Sequence, residues 1–327
     1  MKTITAKVIT LCLVGIIIAT IAYNFHQKWL EAETIDIIVV NKCGYDVAEF
    51  WAVVYAGMEE ASDEMAIELT HMHAPYEYEI DKQKKVIEEA ILLEPDVIVL
   101  MASDYYEIGP YAQEILDQGI KLLLMDSGVH ITSDVMVPFV GTNSLKAGEF
   151  LGNLAKSEVD PSEKAIVLAH YAGVQTSDER EAGIKIGFGE SRISQTFSCD
   201  SDENVAYRIT KDSLRKDKDI TVIFATNETV TVGAARAIED LELSDQVKLY
   251  GFDGSKKHVQ YLEKRIIDYT IIQSPYQMGY LSIINAVKLA NDEEVSEFTE
   301  TDFLLISVEN MYDVGFREIL FPFVNKN

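Results

Sequence analysis

Apolar residues in this chain fall in short continuous runs, and the stretches between the runs have helical spacing. The runs are IDIIVV (35–40), DVIVLM (96–101), KLLLMD (121–126), EKAIVLAH (163–170), ITVIFATN (220–227) and QVKLYGFD (246–253). A continuous apolar run of four to eight residues is what a strand buried on both faces of a parallel sheet requires. Polar residues follow each run at its C-terminal end. Helical spacing marks Phe50 to Met65 and segments near 80–93, 107–118, 144–156, 203–215, 230–240 and 276–290. His71 and His73 alternate as on a further strand. Repeated βα units of this length predict an α/β fold built on doubly wound parallel sheets. The folded part exceeds one common domain size, so two lobes are expected rather than one. No stretch rich in Pro, Gly or Ser separates them, so the chain should cross between the lobes in several short connections that act as a hinge.

One apolar run departs from this pattern. Val8 to Tyr23 (VITLCLVGIIIATIAY) is almost unbroken and, with Asn24 and Phe25, reaches the roughly 20 residues that a transmembrane helix needs. Lys2 and Lys7 precede it, which favours keeping that end in the cytoplasm. The run closes on Tyr23-Asn24-Phe25-His26, too bulky for a small-x-small cleavage site. Cys12 sits mid-run, unlike a lipoprotein cysteine. The sequence therefore predicts an uncleaved single-pass anchor with the folded part outside the cytoplasmic membrane.

Composition narrows the function. With 54 Asp+Glu against 28 Lys+Arg, the formal net charge is −26. Such a polyanion repels nucleic acid phosphates and anionic lipid, so a nucleic acid partner is not expected. Outside the anchor only Cys43 and Cys199 remain. An extracytoplasmic setting permits a disulfide between them, but their spacing does not argue for one. The histidines show no metal-ligand pattern, and neither a metal nor a cofactor is expected. No Gly-rich phosphate loop follows the first strand, and no Ser-His or Cys-His pair sits at strand ends, so an enzyme is not expected.

Ligands of parallel α/β sheets bind beyond the carboxyl ends of the strands. Those positions hold Asn41, Phe50 and Trp51, Ser103 and Asp104, Asp126 and Ser127, Asn227, Asp253 and Gln273. Amides and carboxylates accept and donate to hydroxyls, and flat rings pack against C–H faces. That mixture suits a sugar. Each residue also has a plainer alternative: Asp253 as a turn residue, Asn227 as a helix cap, Phe50 and Trp51 as core.

From Ile35 to near Asn310 the chain resembles the extracytoplasmic sugar-binding proteins of the ribose-binding type. The matching segments are FW-x5-G (50–57), MDSG (125–128), GTNSLKAG (141–148), R-x2-G (180–183), IFATNE (223–228), YGFDG (250–254) and IIQSP (271–275). The resemblance implies two doubly wound lobes on a three-strand hinge, closing on one sugar. The first lobe would comprise 35–142 with 274–308, and the second 143–273 with 309–327. It places sugar-sandwiching aromatics at Phe50 and Trp51, hydroxyl-binding carboxylates at Asp126 and Asp253, an amide at Asn227 and a hinge glutamine at Gln273, with Arg180 beside them. The chain also departs from the family. Ser127 and Asp178 stand where arginines are expected, Met101 replaces an asparagine, and Ser201 aligns with an aromatic. Lys42, Tyr45, Asp46 and Glu49, in a longer first loop, are candidate replacements. Given the anchor, the chain is most similar to membrane-anchored xylose-sensing proteins that pair with a LytS-type sensor histidine kinase. A neutral monosaccharide, D-xylose first, is the ligand this implies. The alternative is the binding component of an ABC sugar importer, with a permease as partner.

Overall fold

The computed structural model describes residues 35–47 and 49–313. The predicted anchor lies outside them, and no helix among the described residues is long and apolar enough to cross a membrane.

Two six-stranded sheets form the fold. The first contains β1 (Ile37–Asn41), β2 (Leu69–His73), β3 (Val97–Leu100), β4 (Lys121–Met125), β5 (Phe139–Thr142) and β11 (Phe298–Thr301), in the order β11-β5-β4-β3-β1-β2. The second contains β6 (Lys164–Ala169), β7 (Ile193–Ser198), β8 (Ile220–Ala225), β9 (Lys248–Phe252), β10 (Tyr269–Gln273) and β12 (Phe303–Ile306), in the order β12-β10-β9-β8-β6-β7. The two orders correspond strand for strand, so each lobe repeats the other's winding. The one difference is at the edge: β11 runs parallel to β5, while β12 runs antiparallel to β10.

The helices are α1 (Glu49–Met65), α2 (Ile80–Ile91), α3 (Gly109–Asp117), α4 (Ser144–Glu158), α5 (Gln175–Ile184), α6 (Glu203–Lys216), α7 (Glu228–Asp240), α8 (Lys256–Glu263) and α9 (Pro275–Ala290). They explain why the strands read as unbroken apolar runs. Ile37–Val40, Val97–Leu100 and Val222–Ala225 are buried on alternate sides of their sheets with no face left for water, as helices on both faces demand. Where two helices must come close, glycine makes room. A Cβ on Gly57 of α1 would run into the backbone carbonyl of Tyr276, and one on Gly279 of α9 into that of Val54.

The chain passes between sheets at Thr142–Ser144, at Gln273–Pro275 and between Thr301 and Phe303. The last crossing corrects the expected lobe boundary. The segment 274–308 does not stay with the first lobe, because Phe303–Ile306 pairs with Thr270–Gln273 in the second sheet. His71 and His73 lie on β2 as their alternation predicts. Cys43 and Cys199 are both buried free thiols.

Candidate functional site

β4 and β9 occupy equivalent places in the two sheets, and each ends in an aspartate with a left-handed backbone. Asp126 and Asp253 both have φ of 62°, a region that Asp and Asn enter more readily than other residues with a side chain. The peptide nitrogen of each still donates to the neighbouring strand, Asp126 to the Val140 carbonyl (3.0 Å) and Asp253 to the Ile271 carbonyl (2.7 Å). The kink therefore ends each strand while its first peptide stays on the sheet. Both side chains line one cleft of about 270 Å³ at the carboxyl ends of the strands.

A cation accompanies each aspartate. Lys42, just past β1, places Nζ 3.0 Å from Asp126 Oδ2 and 2.8 Å from Glu77 Oε1. Burial alone would lower the Lys42 pKa, but the charges of Asp126 and Glu77 outweigh it and hold the ammonium above its usual value. Arg180, on α5, donates from Nη1 to the Thr226 carbonyl (2.7 Å) and approaches Asp253 Oδ2 at 3.6 Å, its guanidinium over the Phe252 ring. Gln273 Nε2 donates to Asp253 Oδ1 at 2.7 Å. Burial raises the Asp253 pKa against the opposing pull of Arg180 and the Gln273 hydrogen bond.

The cleft joins predicted and unpredicted residues. Phe50, Trp51, Asp126, Arg180, Asn227, Asp253 and Gln273 all line it. Phe50 and Trp51 meet edge to face, ring centres 4.9 Å apart at 89°. They touch each other, so they do not by themselves clamp opposite faces of a ring. The second lobe contributes Tyr171 to the lining. Asn227 takes the capping role weighed as its alternative and also lines the cleft. Its Oδ1 caps α7 by accepting from the Val230 nitrogen (3.0 Å), and its Nδ2 donates to Ser201 Oγ (2.7 Å), leaving one amide hydrogen for a ligand.

Several expected positions fall outside the lining, Ser103, Tyr45 and Asp46 among them. Asn41 is buried beneath it, its Oδ1 accepting from the Lys42 nitrogen (2.8 Å). Ser127 donates to Asp126 Oδ2 (2.8 Å) and accepts from Lys42, so it orients the carboxylate rather than facing the cleft. Asp104 closes its own loop by accepting from the nitrogens of Tyr106 and Glu107 (2.8 and 2.7 Å). Asp178 is exposed in the first turn of α5, directed away from the cleft by the same helical phase that buries Arg180.

Strand-end reading missed several lining residues. His170 follows β6 and is buried, with Nδ1 2.8 Å from Thr226 Oγ1. Burial, then the charges of Arg180 and Lys42, hold its pKa well below the usual value, so it faces the cleft as a neutral ring. Glu77, Tyr76 and Tyr78 come from the loop after β2, with the two tyrosine rings stacked 5.4 Å apart. Burial pushes the Cys43 thiol up to about 12, so this lining residue is no nucleophile. Two hydrogen bonds tie the lobes together nearby: the Gly128 nitrogen to Gln175 Oε1 (2.6 Å) and the Tyr105 nitrogen to the Gly173 carbonyl (3.0 Å). A larger cleft of about 630 Å³, lined by Glu158, Lys248, Arg265 and Asp268 among others, lies at the opposite, amino ends of the second sheet's strands. Asp126, Asp253, Phe50 and Trp51 do not line it.

Known proteins share this organisation. The ribose import binding protein RbsB of Haemophilus influenzae is 22% identical over 260 residues, covering 79% of this chain and 87% of that protein. A sugar transporter structure from Clostridium phytofermentans is 34% identical, with a TM-score of 0.76 over 84% of this chain and 99% of that one. A carbohydrate transporter solute binding protein from Agrobacterium radiobacter, solved with D-arabinose, superposes with a TM-score of 0.81 at 21% identity, covering 88% and 99%. These relatives are binding proteins rather than enzymes. The family model for the periplasmic binding protein domain matches residues 37–294, and the chain belongs to that family.

Proposed function

We propose that the chain is an extracytoplasmic receptor for a neutral monosaccharide, a pentose such as D-xylose first. The observation that carries this is the pair of left-handed aspartates, brought from equivalent strands of the two lobes into one small cleft and each accompanied by a cation. A carboxylate accepts strongly from hydroxyls, and aromatic rings beside it cover C–H faces. Lys42 is committed to two carboxylates, and Arg180 faces Asp253 at 3.6 Å, so an anionic ligand would meet both aspartates in the same cleft. Ribose import and arabinose complexes among the relatives support the same ligand class. The test is calorimetry and thermal unfolding of the full chain against pentoses, hexoses and their acid or phosphate derivatives. Ligand at a hundred times its dissociation constant is expected to add about 2.7 kcal/mol of stability. No response to any neutral sugar, or a response to anionic derivatives alone, rejects the proposal.

The role we assign to the receptor is signalling. The apolar run Val8–Tyr23, as an uncleaved membrane helix, would hold the protein in one membrane with a sensor histidine kinase, raising their effective concentration. Sugar shifts lobe geometry only through its differential affinity for two states, so the kinase would read that geometry. A second reading, the binding component of an ABC importer, is favoured by the import function named for RbsB. Titrating the full chain with the kinase's extracytoplasmic part, with and without sugar, separates them. Sugar-dependent assembly supports signalling. Assembly indifferent to sugar, with sugar-dependent stimulation of a transporter ATPase, supports import.

A further inference from the structure

Lys42 is a buried ammonium with no donor to spare. Its Nζ lies 2.8 Å from Glu77 Oε1, 3.0 Å from Asp126 Oδ2 and 3.0 Å from Ser127 Oγ, and an ammonium has three hydrogens. Ser127 Oγ donates in turn to the same Asp126 Oδ2 (2.8 Å). One oxygen of Asp126 is thus held twice, while Oδ1 has no hydrogen-bond partner among the described residues. Through Glu77, the same ammonium anchors the loop that carries Tyr76 and Tyr78 to the cleft.

We infer that Lys42 is a positioning residue for ligand recognition: it sets which oxygen of Asp126 faces the cleft and bridges Asp126 and Glu77. This inference rests on the neutral-sugar reading above. Lys42 itself lines the cleft, but with all three of its hydrogens taken by Glu77, Asp126 and Ser127 it acts through Asp126. The other charged or titratable groups around it are Asp253, Arg180, His170, Cys43 and Tyr171. Without the ammonium, buried Asp126 and half-buried Glu77 would share one place with no cation between them, an arrangement that favours taking up a proton. A protonated Asp126 is a weaker acceptor for a hydroxyl than the carboxylate.

The experiment uses the full chain and whichever of D-xylose, D-ribose and L-arabinose the wild type binds best. Dissociation constants are measured by calorimetry at several pH values from 7.5 down to 5 for wild type, Lys42→Met and Lys42→Arg. Lys42→Met is expected to bind roughly tenfold more weakly at pH 7.5, and the ratio of its dissociation constant to that of wild type should widen as pH falls. The ratio cancels only what titrates alike in both proteins; Asp253, which also feels the Lys42 charge, is taken out by repeating the comparison in an Asp253→Asn background. Lys42→Arg keeps the charge and should show a ratio that does not change with pH. If Lys42→Met does not fold, Lys42→Gln replaces it with the same expectation. An uncharged variant with wild-type affinity, or with a ratio flat in pH, overturns the inference while leaving the sugar reading intact. An arginine variant whose ratio widens as much as that of the methionine variant also overturns it. A wild type that binds none of the neutral sugars overturns the reading and the inference together.

Discussion

Lowering the pH from 7.5 to 5 is expected to remove about 2 kcal/mol of folding stability through His258 alone, and about 4 kcal/mol at pH 3. His258 lies on α8, fully buried, with neither ring nitrogen hydrogen-bonded among the described residues. Burial alone pushes its pKa from 6.5 down to about 3. The folded-state pKa of this base is depressed, so below 6.5 the unfolded chain binds a proton that the folded chain refuses. Its stability is intact above pH 6.5 and declines as pH falls toward 3. His170 contributes in the same direction for the same reason. Buried carboxyls with raised pKa values, Asp253 and Asp268 among them, work the opposite way at lower pH. Comparison with His258→Met isolates the histidine. Urea unfolding should place that variant within about 1.5 kcal/mol of wild type at pH 7.5 and show about 2 kcal/mol less loss on going to pH 5. Parallel losses in both proteins would show that His258 is not the acid-sensitive group.

The parts of this fold that were legible in the sequence are those in which one element alone carries the signal. β1, β3, β4, β6, β8 and β9 are buried on both faces, so each shows as an apolar run whatever its neighbours. β7 (ISQTFS) is an edge strand with no fully buried position and no regular alternation, and its pairing with β6 is specified by the partner. β11 and β12 are four residues each and take their sheets from contacts far away in sequence. Only that long-range pairing could move Phe303–Ile306 from the first lobe to the second. α5 (QTSDEREAGI) escaped because it is polar on nearly every side, and its buried positions include Thr176, Ser177 and Arg180.

The site divides along the same line. Asp126, Asn227, Asp253 and Gln273 close strands or open helices and were visible as polar residues in fixed places. His170 ends the run EKAIVLAH and obeyed the same rule, so the signal for it was present and unused. Lys42 lies 85 residues from Ser127 and gains its meaning only when β1 and β4 are brought to one end of the sheet. The rule was wrong for Asp104 because a strand-end carboxylate can satisfy its own loop's nitrogens first.

Removing the charge from both cleft aspartates should abolish tight sugar binding without unfolding the protein. Asn is the informative replacement at each position, because Ala would add the cost of a left-handed backbone at φ 62°. Asn keeps the shape, and at 253 it keeps an oxygen for Gln273 Nε2. Hydrogen bonds to charged groups contribute about 1.5–3 kcal/mol, so Asp126→Asn and Asp253→Asn should each weaken binding roughly ten- to hundredfold. The two residues share one cleft, so their effects need not add strictly. The double variant is still expected to lose about a thousandfold or more. Calorimetry with the best wild-type pentose measures the affinities, and urea unfolding without sugar measures the stabilities. Affinity should fall while sugar-free stability changes much less. At Asp253 the direction is reinforced: burial outweighs Arg180 and leaves one fewer charge to stabilise in the sugar-free fold. Unchanged affinity with lowered stability would make these aspartates turn residues of the scaffold, and the ligand would then have to be sought elsewhere in the cleft.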